Sequence, residues 1–281
     1  MIKFKEHKGK FIFRDMVYNM ENDISQTFEQ NGVVLLKGAF KEWVPKIISG
    51  IEKNLSNPSK YASENDVDSG RFFDDYCNWT SISEFQDLII NSDASKIVAE
   101  VMNSDTAQFF HDHVLVKEGE TSKETPWHQD APYYFVDGKK TVSMWIPVDP
   151  IIDTGLRFIA GSHKWDKMVR PVSWADNSDF YEGDQNWLPV PKPDSNPDNL
   201  KILEWPMDPG DAVLFNFRTV HGARGNHTNL RRRALSLRWV GDDATYVERP
   251  GRTSPPFPNH NMIDGQILRK DWFPILYPKI K

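Results

Sequence analysis

Two hydrophobic periods run through this chain and divide it near residue 105. In the first hundred residues apolar side chains recur at three- and four-residue spacing through Glu21 to Gln30, Lys41 to Leu55, Ile82 to Ile90 and Ala94 to Met102. That spacing predicts helices that bury one face. Val33 to Leu36 reads as a short strand among them. From Thr106 to Val240 the period falls to two, with Gly, Pro and Asp clusters between short apolar runs. Gln108 to Lys117, Thr141 to Val148, Leu156 to Ala160, Asp211 to His221 and Arg231 to Val240 read as strands of an antiparallel sandwich or barrel. The pattern predicts a mainly β protein with flanking helices in one domain, residues 1–281: a helical flank over about 1–104, a β core over about 105–245 and a C-terminal extension over 246–281. Between Met168 and Leu200 the chain is far longer than a tight connection needs, and is either a lid or a surface excursion.

Composition narrows the class. With 281 residues, 39% of them hydrophobic and 12% aromatic, the chain can fill a sizeable core. A net charge of −6 and the absence of a long Lys/Arg run argue against nucleic acid as a partner. No apolar stretch is long enough to span a bilayer, and the N-terminus lacks the apolar run of a signal peptide, so the expectation is a cytoplasmic protein with no membrane partner. Cys77 is the single cysteine, which excludes an internal disulfide and a cysteine-ligated zinc or iron–sulfur site; it reads as a small buried hydrophobe. Nothing in the sequence sets an oligomeric state.

The candidate chemistry lies in His128-Gln129-Asp130, His221 and Arg232. Residues two apart on a strand share a face, so His128 and Asp130 converge while Gln129 looks elsewhere. The turn Asp208-Pro209-Gly210-Asp211 launches an apolar strand that ends at His221, and Arg232 falls on the expected return strand of the same hairpin. Two imidazoles and one carboxylate on one side of iron(II) leave adjacent positions for a co-substrate and oxygen, which makes His128, Asp130 and His221 the predicted catalytic metal set. Arg232, Ala234, Ser236 and Arg238 share one strand face. Small Ala234 and Ser236 leave room for a bound molecule, and the Arg232 guanidinium suits a carboxylate. Arg231 and Arg233, on the other face, read as surface charges.

Other candidates carry two readings each. His111-Asp112-His113 offers a rival metal set, but Asp112 points away from the two imidazoles. Lys117 is either a second cation near the pocket or an exposed strand end. Of Tyr133 and Tyr134, one is expected to face a substrate cavity and the other to pack. Arg157 either faces inward to bind an anionic substrate or pairs with an acidic neighbour. Arg238 is expected at the cavity rim with Asp242 and Asp243, either as a contact to an anionic substrate or in a purely structural pairing. His163 fits a turn better than a metal site.

Thr125-Pro126-Trp127-His128-Gln129-Asp130, Gly161-Ser162-His163-Lys164, Pro209-Gly210-Asp211 and the pair His221 and Arg232 together resemble the phytanoyl-CoA dioxygenase family over roughly residues 25 to 245. The resemblance implies a double-stranded β-helix, or jelly roll, that uses iron(II), 2-oxoglutarate and O2. In that pattern His128, Asp130 and His221 match the iron ligands and Arg232 the 2-oxoglutarate anchor. His113 matches a neighbour of the co-substrate, against a plain core histidine, and Trp145 an aromatic wall beside 2-oxoglutarate, against a core tryptophan. Ala223 stands where the family has a small hydroxylated residue, so that contact is absent. The implied reaction is hydroxylation of an unactivated carbon of a small polar or anionic metabolite, a small phosphonate among the candidates, with release of succinate and carbon dioxide. Acyl-CoA is less suited, since no basic groove is evident. The rival classes are a non-redox metal-dependent lyase, isomerase or hydrolase, which has no need of Arg232, and a non-catalytic small-molecule binding module, against which the intact metal ligands argue.

Overall fold

The computed structural model of the protein describes residues 10–13, 16–65, 70–174, 176–183, 186–195 and 200–278; the ends of the chain and parts of the 168–200 segment lie outside the described residues. Four helices, α1 (Met20–Asn31), α2 (Val44–Ser56), α3 (Ser83–Asn91) and α4 (Ala94–Met102), stand where the three- and four-residue spacing predicts them. Pro45 sits in the first turn of α2, where its missing N–H costs nothing. The C-cap of α4, Asn103, takes the left-handed conformation at φ 50°.

The strands are β1 (Lys10–Phe13), β2 (Met16–Asn19), β3 (Val33–Leu36), β4 (Ser63–Glu64), β5 (Phe72–Tyr76), β6 (Ala107–Lys117), β7 (Thr125–His128), β8 (Val136–Asp137), β9 (Thr141–Pro147), β10 (Leu156–Ile159), β11 (Ile202–Leu203), β12 (Ala212–Phe215), β13 (His221–Ala223), β14 (Arg232–Val240), β15 (Thr245–Tyr246) and β16 (Ile275–Tyr277). The larger antiparallel sheet runs β3-β12-β9-β14-β6-β5-β4, with β16 also paired to β6, and the smaller runs β11-β10-β13-β7. Alternation sends Val34, Met144, Ile146, Leu214, Leu235 and Leu237 outward onto the helices, against Ile47, Ile51, Phe85 and Val98. The opposite face sends Val33, Trp145, Val213, Phe215 and Ala234 inward against Leu156, Phe158 and Ala223 of the smaller sheet. Both faces of the larger sheet are therefore buried, one under helices and one under the second sheet. This is the jelly roll with flanking helices.

The predicted strand from Asp211 to His221 is two strands in two sheets. β12 stops at Phe215, the chain turns through Asn216 to Thr219, and β13 starts at His221. Asn216 causes the break: its side-chain amide donates to Lys139 O at 2.8 Å and Thr141 O at 3.3 Å, while Thr141 Oγ1 takes the Phe217 N–H at 3.2 Å, so the ladder is interrupted. The expected hairpin between the His221 strand and the Arg232 strand is replaced by a sheet crossover, since β14 pairs with β6 and β9. Gly210, at φ +86°, makes the approach to β12 possible; a Cβ there would lie 2.5 Å from Lys41 Cα. β5 was not expected at all. Cys77 is half-buried at φ 64°, not fully buried as read from the sequence. Among the described residues no helix is long and apolar enough to cross a membrane.

Candidate metal centre and its cavity

His128 ends β7 and lies opposite His221, the first residue of β13, in the register of the smaller sheet. Their rings are 4.2 Å apart between centroids. Asp130 is placed differently from the sequence expectation. It lies past the strand end at φ −68°, ψ −39°, entering a 3-10 turn over Ala131–Tyr133 that contains Pro132, so a helical bend and not strand alternation turns its carboxylate back toward His128. His128 Nδ1 donates to Pro126 O at 2.8 Å and His221 Nδ1 to Thr219 O at 3.0 Å. Those bonds fix both tautomers and leave each Nε2 lone pair free. The Nε2 atoms stand 3.6 and 3.9 Å from Asp130 Oδ1. Among the described residues these three form the one group of His, Cys, Asp or Glu whose ligand atoms gather as a metal requires, all within 4.8 Å of one another.

The donor set fits a divalent metal. His128 Nε2 is buried with no hydrogen-bond partner, and burial, followed by the charge of His128, pushes the His221 pKa down to about 3, so that imidazole is a neutral ligand at ordinary pH. Asp130 Oδ2 accepts a hydrogen bond from Ser143 Oγ at 2.5 Å and lies 3.2 Å from Arg238 Nε. Burial alone would raise the Asp130 pKa, but Arg238 and the two imidazoles outweigh it and hold the carboxyl well below its usual range. One carboxylate oxygen thus faces the histidines while the other is anchored.

A second buried group of basic side chains, Arg232 and Lys117, pairs across the β14–β6 ladder. Arg232 is buried, its ring-plane neighbour is Trp145 at 5.9 Å, and one guanidinium nitrogen donates to Thr154 O. Its Nε and Trp145 Nε1 have no hydrogen-bond partner. Burial pushes the Arg232 pKa down to about 10, which keeps it cationic at neutral pH. Lys117 is not an exposed strand end. It is fully buried, with Nζ 3.2 Å from Arg224 O and 4.8 Å over the Phe72 ring, on a strand that is paired by β5 on one side and β14 on the other. Burial, with the Arg232 charge, pushes the Lys117 pKa down to about 6.

A cavity of about 280 Å³ opens on the metal cluster, bounded by β5, β6, the 3-10 turn, residues 172–174, Phe180 and the Ser254-Pro255 segment. His113 lines it, with Nε2 3.1 Å from Asp74 Oδ1. Ser236 pairs across the ladder with His113 and Trp145, and its hydroxyl accepts from Arg238. Tyr133 and Tyr134 both face the cavity, contrary to the expected in-and-out alternation, because the 3-10 turn carries them. Tyr133 Oη donates to Val172 O at 2.7 Å and accepts from Val172 N at 2.8 Å; Tyr134 Oη accepts from Arg238 Nε at 3.0 Å.

Two expected contributions are corrected. Arg157 lies on the outward side of β10, between inward Leu156 and Phe158, where it forms a two-pronged bond with Asp194 at 2.9 and 2.6 Å and covers the Trp127 ring. Arg238 is not at the rim with Asp242 and Asp243, which engage Lys139 and Lys140; it is buried against Asp130 because β14 turns it inward. The remaining candidates follow their plainer readings. Asp112 takes the Asn78 and Trp79 N–H groups on the far face, His163 Nε2 bonds Glu29 O, and Arg231 and Arg233 pair with Glu118, Glu52 and Asp149.

Val172, Ser173, Trp174 and Phe180 form a strap along the cavity. Val169 N donates to Gln129 Oε1 at 2.7 Å, and the Trp174 ring stands 4.9 Å from that of His128. Ser143, Asp74, Tyr76 and Trp174 escaped the sequence reading; for Ser143 alone a signal existed, its place two residues before Trp145 on one strand face. A wider cleft of about 910 Å³ near Trp187 and Pro250 contains none of the three metal-facing residues.

Comparison with known proteins agrees with this arrangement. The sequence profile of the family described as phytanoyl-CoA dioxygenase matches residues 28–234. A probable phytanoyl-CoA dioxygenase of Caenorhabditis elegans is 23% identical over 262 residues, covering 89% of this chain and 78% of that protein. Among solved structures, the non-heme α-ketoglutarate-dependent carbocyclase SnoK from nogalamycin biosynthesis superposes with a TM-score of 0.69 at 20% identity, covering 90% of this chain and 95% of its own. EctD from S. alaskensis, solved with 2-oxoglutarate and 5-hydroxyectoine, gives a TM-score of 0.62 at 17% identity over 86% of this chain and 83% of its own.

Proposed function

Since this chain belongs to the phytanoyl-CoA dioxygenase family of iron(II)- and 2-oxoglutarate-dependent oxygenases, we propose that it hydroxylates an unactivated C–H bond of a small polar metabolite, with conversion of 2-oxoglutarate and O2 to succinate and carbon dioxide. The observation that carries this reading is the conjunction of the His128, Asp130 and His221 ligand atoms with Arg232, a buried cation that has no acidic partner among the described residues. A buried charge left unpaired is costly, and a carboxylate ligand removes that cost.

His128 and His221 would hold iron(II) through Nε2 and Asp130 through Oδ1. Bound iron and 2-oxoglutarate supply the oxidising chemistry. The protein supplies placement. Pro126 and Thr219 carbonyls orient the imidazoles, Ser143 and Arg238 orient the carboxylate, and Arg232 takes the distal carboxylate of 2-oxoglutarate with Trp145 as the wall beside it. Trp174 and the strap held by Tyr133 close the cavity against water. A cavity of about 280 Å³ suits a small substrate and not an acyl-CoA. The solved structure of EctD with 2-oxoglutarate and 5-hydroxyectoine supports the same co-substrate and a small substrate. Ser254 and Pro255 line the cavity, which supports reading the C-terminal extension as part of one catalytic domain.

Of the two cations offered to an anionic substrate, Arg157 is turned away and Arg238 is engaged by Asp130. A non-redox metal enzyme would leave Arg232 without a purpose. The reading is tested by succinate formation from 2-oxoglutarate with iron(II) and oxygen: the wild type produces it, and His128→Ala or Asp130→Ala does not.

A further inference from the structure

The cavity that opens on the metal cluster is walled by aromatic side chains and carries one acid apart from Asp130, which belongs to the metal set. Tyr61 and Tyr76 stack at 5.2 Å, Tyr76 meets His113 edge-on at 5.7 Å, and Trp174 lies 6.3 Å from His113 and 4.9 Å from His128. Phe180 packs on Tyr133 at 4.9 Å on the far side. Asp74 projects into this ring-lined space with its side chain 18% exposed. Its Oδ1 meets His113 Nε2, and among the described residues its Oδ2 has no polar partner.

Each ring presents a face of negative potential, and a desolvated cation is attracted to such a face. Asp74 adds a carboxyl group at the same end of the cavity. Arg238 is the one lysine or arginine that lines it among the described residues, and that side chain is held by Asp130, Tyr134 and Ser236. Among the described residues the rest of the lining carries no lysine or arginine; Arg252, whose charge reaches the Tyr76 hydroxyl, lies outside that lining.

Building on the oxygenase reading above, we propose that the substrate carries an ammonium or quaternary ammonium group and seats it beside Asp74, against the rings of Tyr76 and Trp174. Trp174 touches both His113 and His128, so the cationic end lies one ring away from the metal ligands. The carbon that is oxidised is then one a few bonds from the nitrogen, and Asp74 determines specificity without touching the reacting carbon.

The test compares choline with 3,3-dimethylbutan-1-ol, which has the same shape and no charge, by calorimetric titration into the full-length protein loaded with iron(II) and 2-oxoglutarate under anaerobic conditions. Choline is expected to bind at least about tenfold more tightly, and Asp74→Asn to abolish that preference. Equal binding of the two probes by the wild type, tighter binding of ethylphosphonate than of choline, or a preference that survives Asp74→Asn overturns the proposal. The visible absorption of the iron and 2-oxoglutarate complex is recorded before any probe is added. If that band forms and choline shows no advantage, the substrate assignment alone fails; if the band is absent while choline keeps its advantage, the oxygenase reading fails and the cation site stands.

Discussion

Arg232 and Lys117 face each other across the β14–β6 ladder, both buried and neither in an ion pair among the described residues. Protonation of Lys117 would set two cations side by side in an apolar interior, so the amine is held largely neutral near pH 7 and Arg232 carries the unsolvated charge. A carboxylate bound to Arg232 removes the cost of that unpaired charge. Arg232→Ala is therefore expected to weaken 2-oxoglutarate binding by about 2 to 4 kcal/mol, on the order of 30- to 1,000-fold in Kd, with the metal affinity in the absence of co-substrate little changed. Calorimetric titration of 2-oxoglutarate into the metal-loaded protein reads this directly, and an unchanged Kd would remove Arg232 from the co-substrate site.

Lys117 also sets a pH dependence of stability. Its pKa is 10.5 in an ordinary environment and about 6 in the fold. Between those values the unfolded chain binds the proton and the folded protein does not, so this residue makes stability rise with pH across the window, by at most about 1.4 kcal/mol per pH unit. The penalty is complete below the lower value and absent above the upper one. Chemical denaturation without co-substrate should show Lys117→Met to be the more stable protein near neutral pH, by a margin that shrinks as the pH approaches about 10. Parallel stability profiles for the two proteins would show that the buried amine does not titrate in this range.

Ser143 acts on the metal through Asp130. Its hydroxyl holds Oδ2 at 2.5 Å, so that Oδ1 remains turned toward the histidines. Loss of a partner that orients a metal ligand typically lowers affinity about 10- to 100-fold. Ser143→Ala should fall in that range in a competition assay with a metal-binding dye, while the melting temperature of the metal-free protein moves by only a few degrees. An unaltered metal Kd would mean that Arg238 alone orients the carboxylate.

The Tyr133 hydroxyl is one of the strap's attachments, beside the Gln129 bond to Val169 and the Tyr181 bond to Pro132. Tyr133 Oη both donates to and accepts from the Val172 backbone, and these are the bonds that fasten residues 172–174 over the cavity. Tyr133→Phe should lose about 1 to 3 kcal/mol of local stability, seen as hydrogen exchange at the Val172 amide faster by roughly 5- to 100-fold with exchange in β9 and β14 unchanged. Exchange at Val172 as slow as in the wild type would show that the strap is held elsewhere. Turnover that persists undiminished after shortening Asp176 to Asn199 would count against any gating role for the rest of the segment.

The parts of this structure that local pattern controls were legible in the sequence. α4 and β3 stand at their predicted positions because helical and two-residue periods are properties of neighbouring residues. The metal-facing set was legible because three chemically distinctive side chains are few enough to be matched by type and order. What depends on distant partners was not. Nothing near Asn216 says that its amide will reach Lys139 and Thr141 and split one strand into two. Arg238 was read as a rim residue because Asp242 and Asp243 are its neighbours in sequence, while its true partner, Asp130, is fixed by the pairing of β14 with β9. β5 was missed because Phe72-Phe73-Asp74-Asp75-Tyr76 breaks apolar alternation: Asp75 is buried on the helix side by Asn54 and Ser59, and Asp74 faces the cavity. The residue that sets the charge of the cavity was hidden by the same irregularity that concealed its strand.

The most direct measurement is the visible absorption of the anaerobic protein on addition of iron(II) and 2-oxoglutarate. The wild type should develop the charge-transfer band of the chelated pair and lose it when oxygen is admitted, Arg232→Ala should require much more 2-oxoglutarate to reach the same band, and His128→Ala should develop none. A wild-type protein that binds iron(II) yet shows no band at saturating 2-oxoglutarate, or a His128→Ala protein that shows the full band, would contradict the placement of the metal and co-substrate between His128, Asp130, His221 and Arg232.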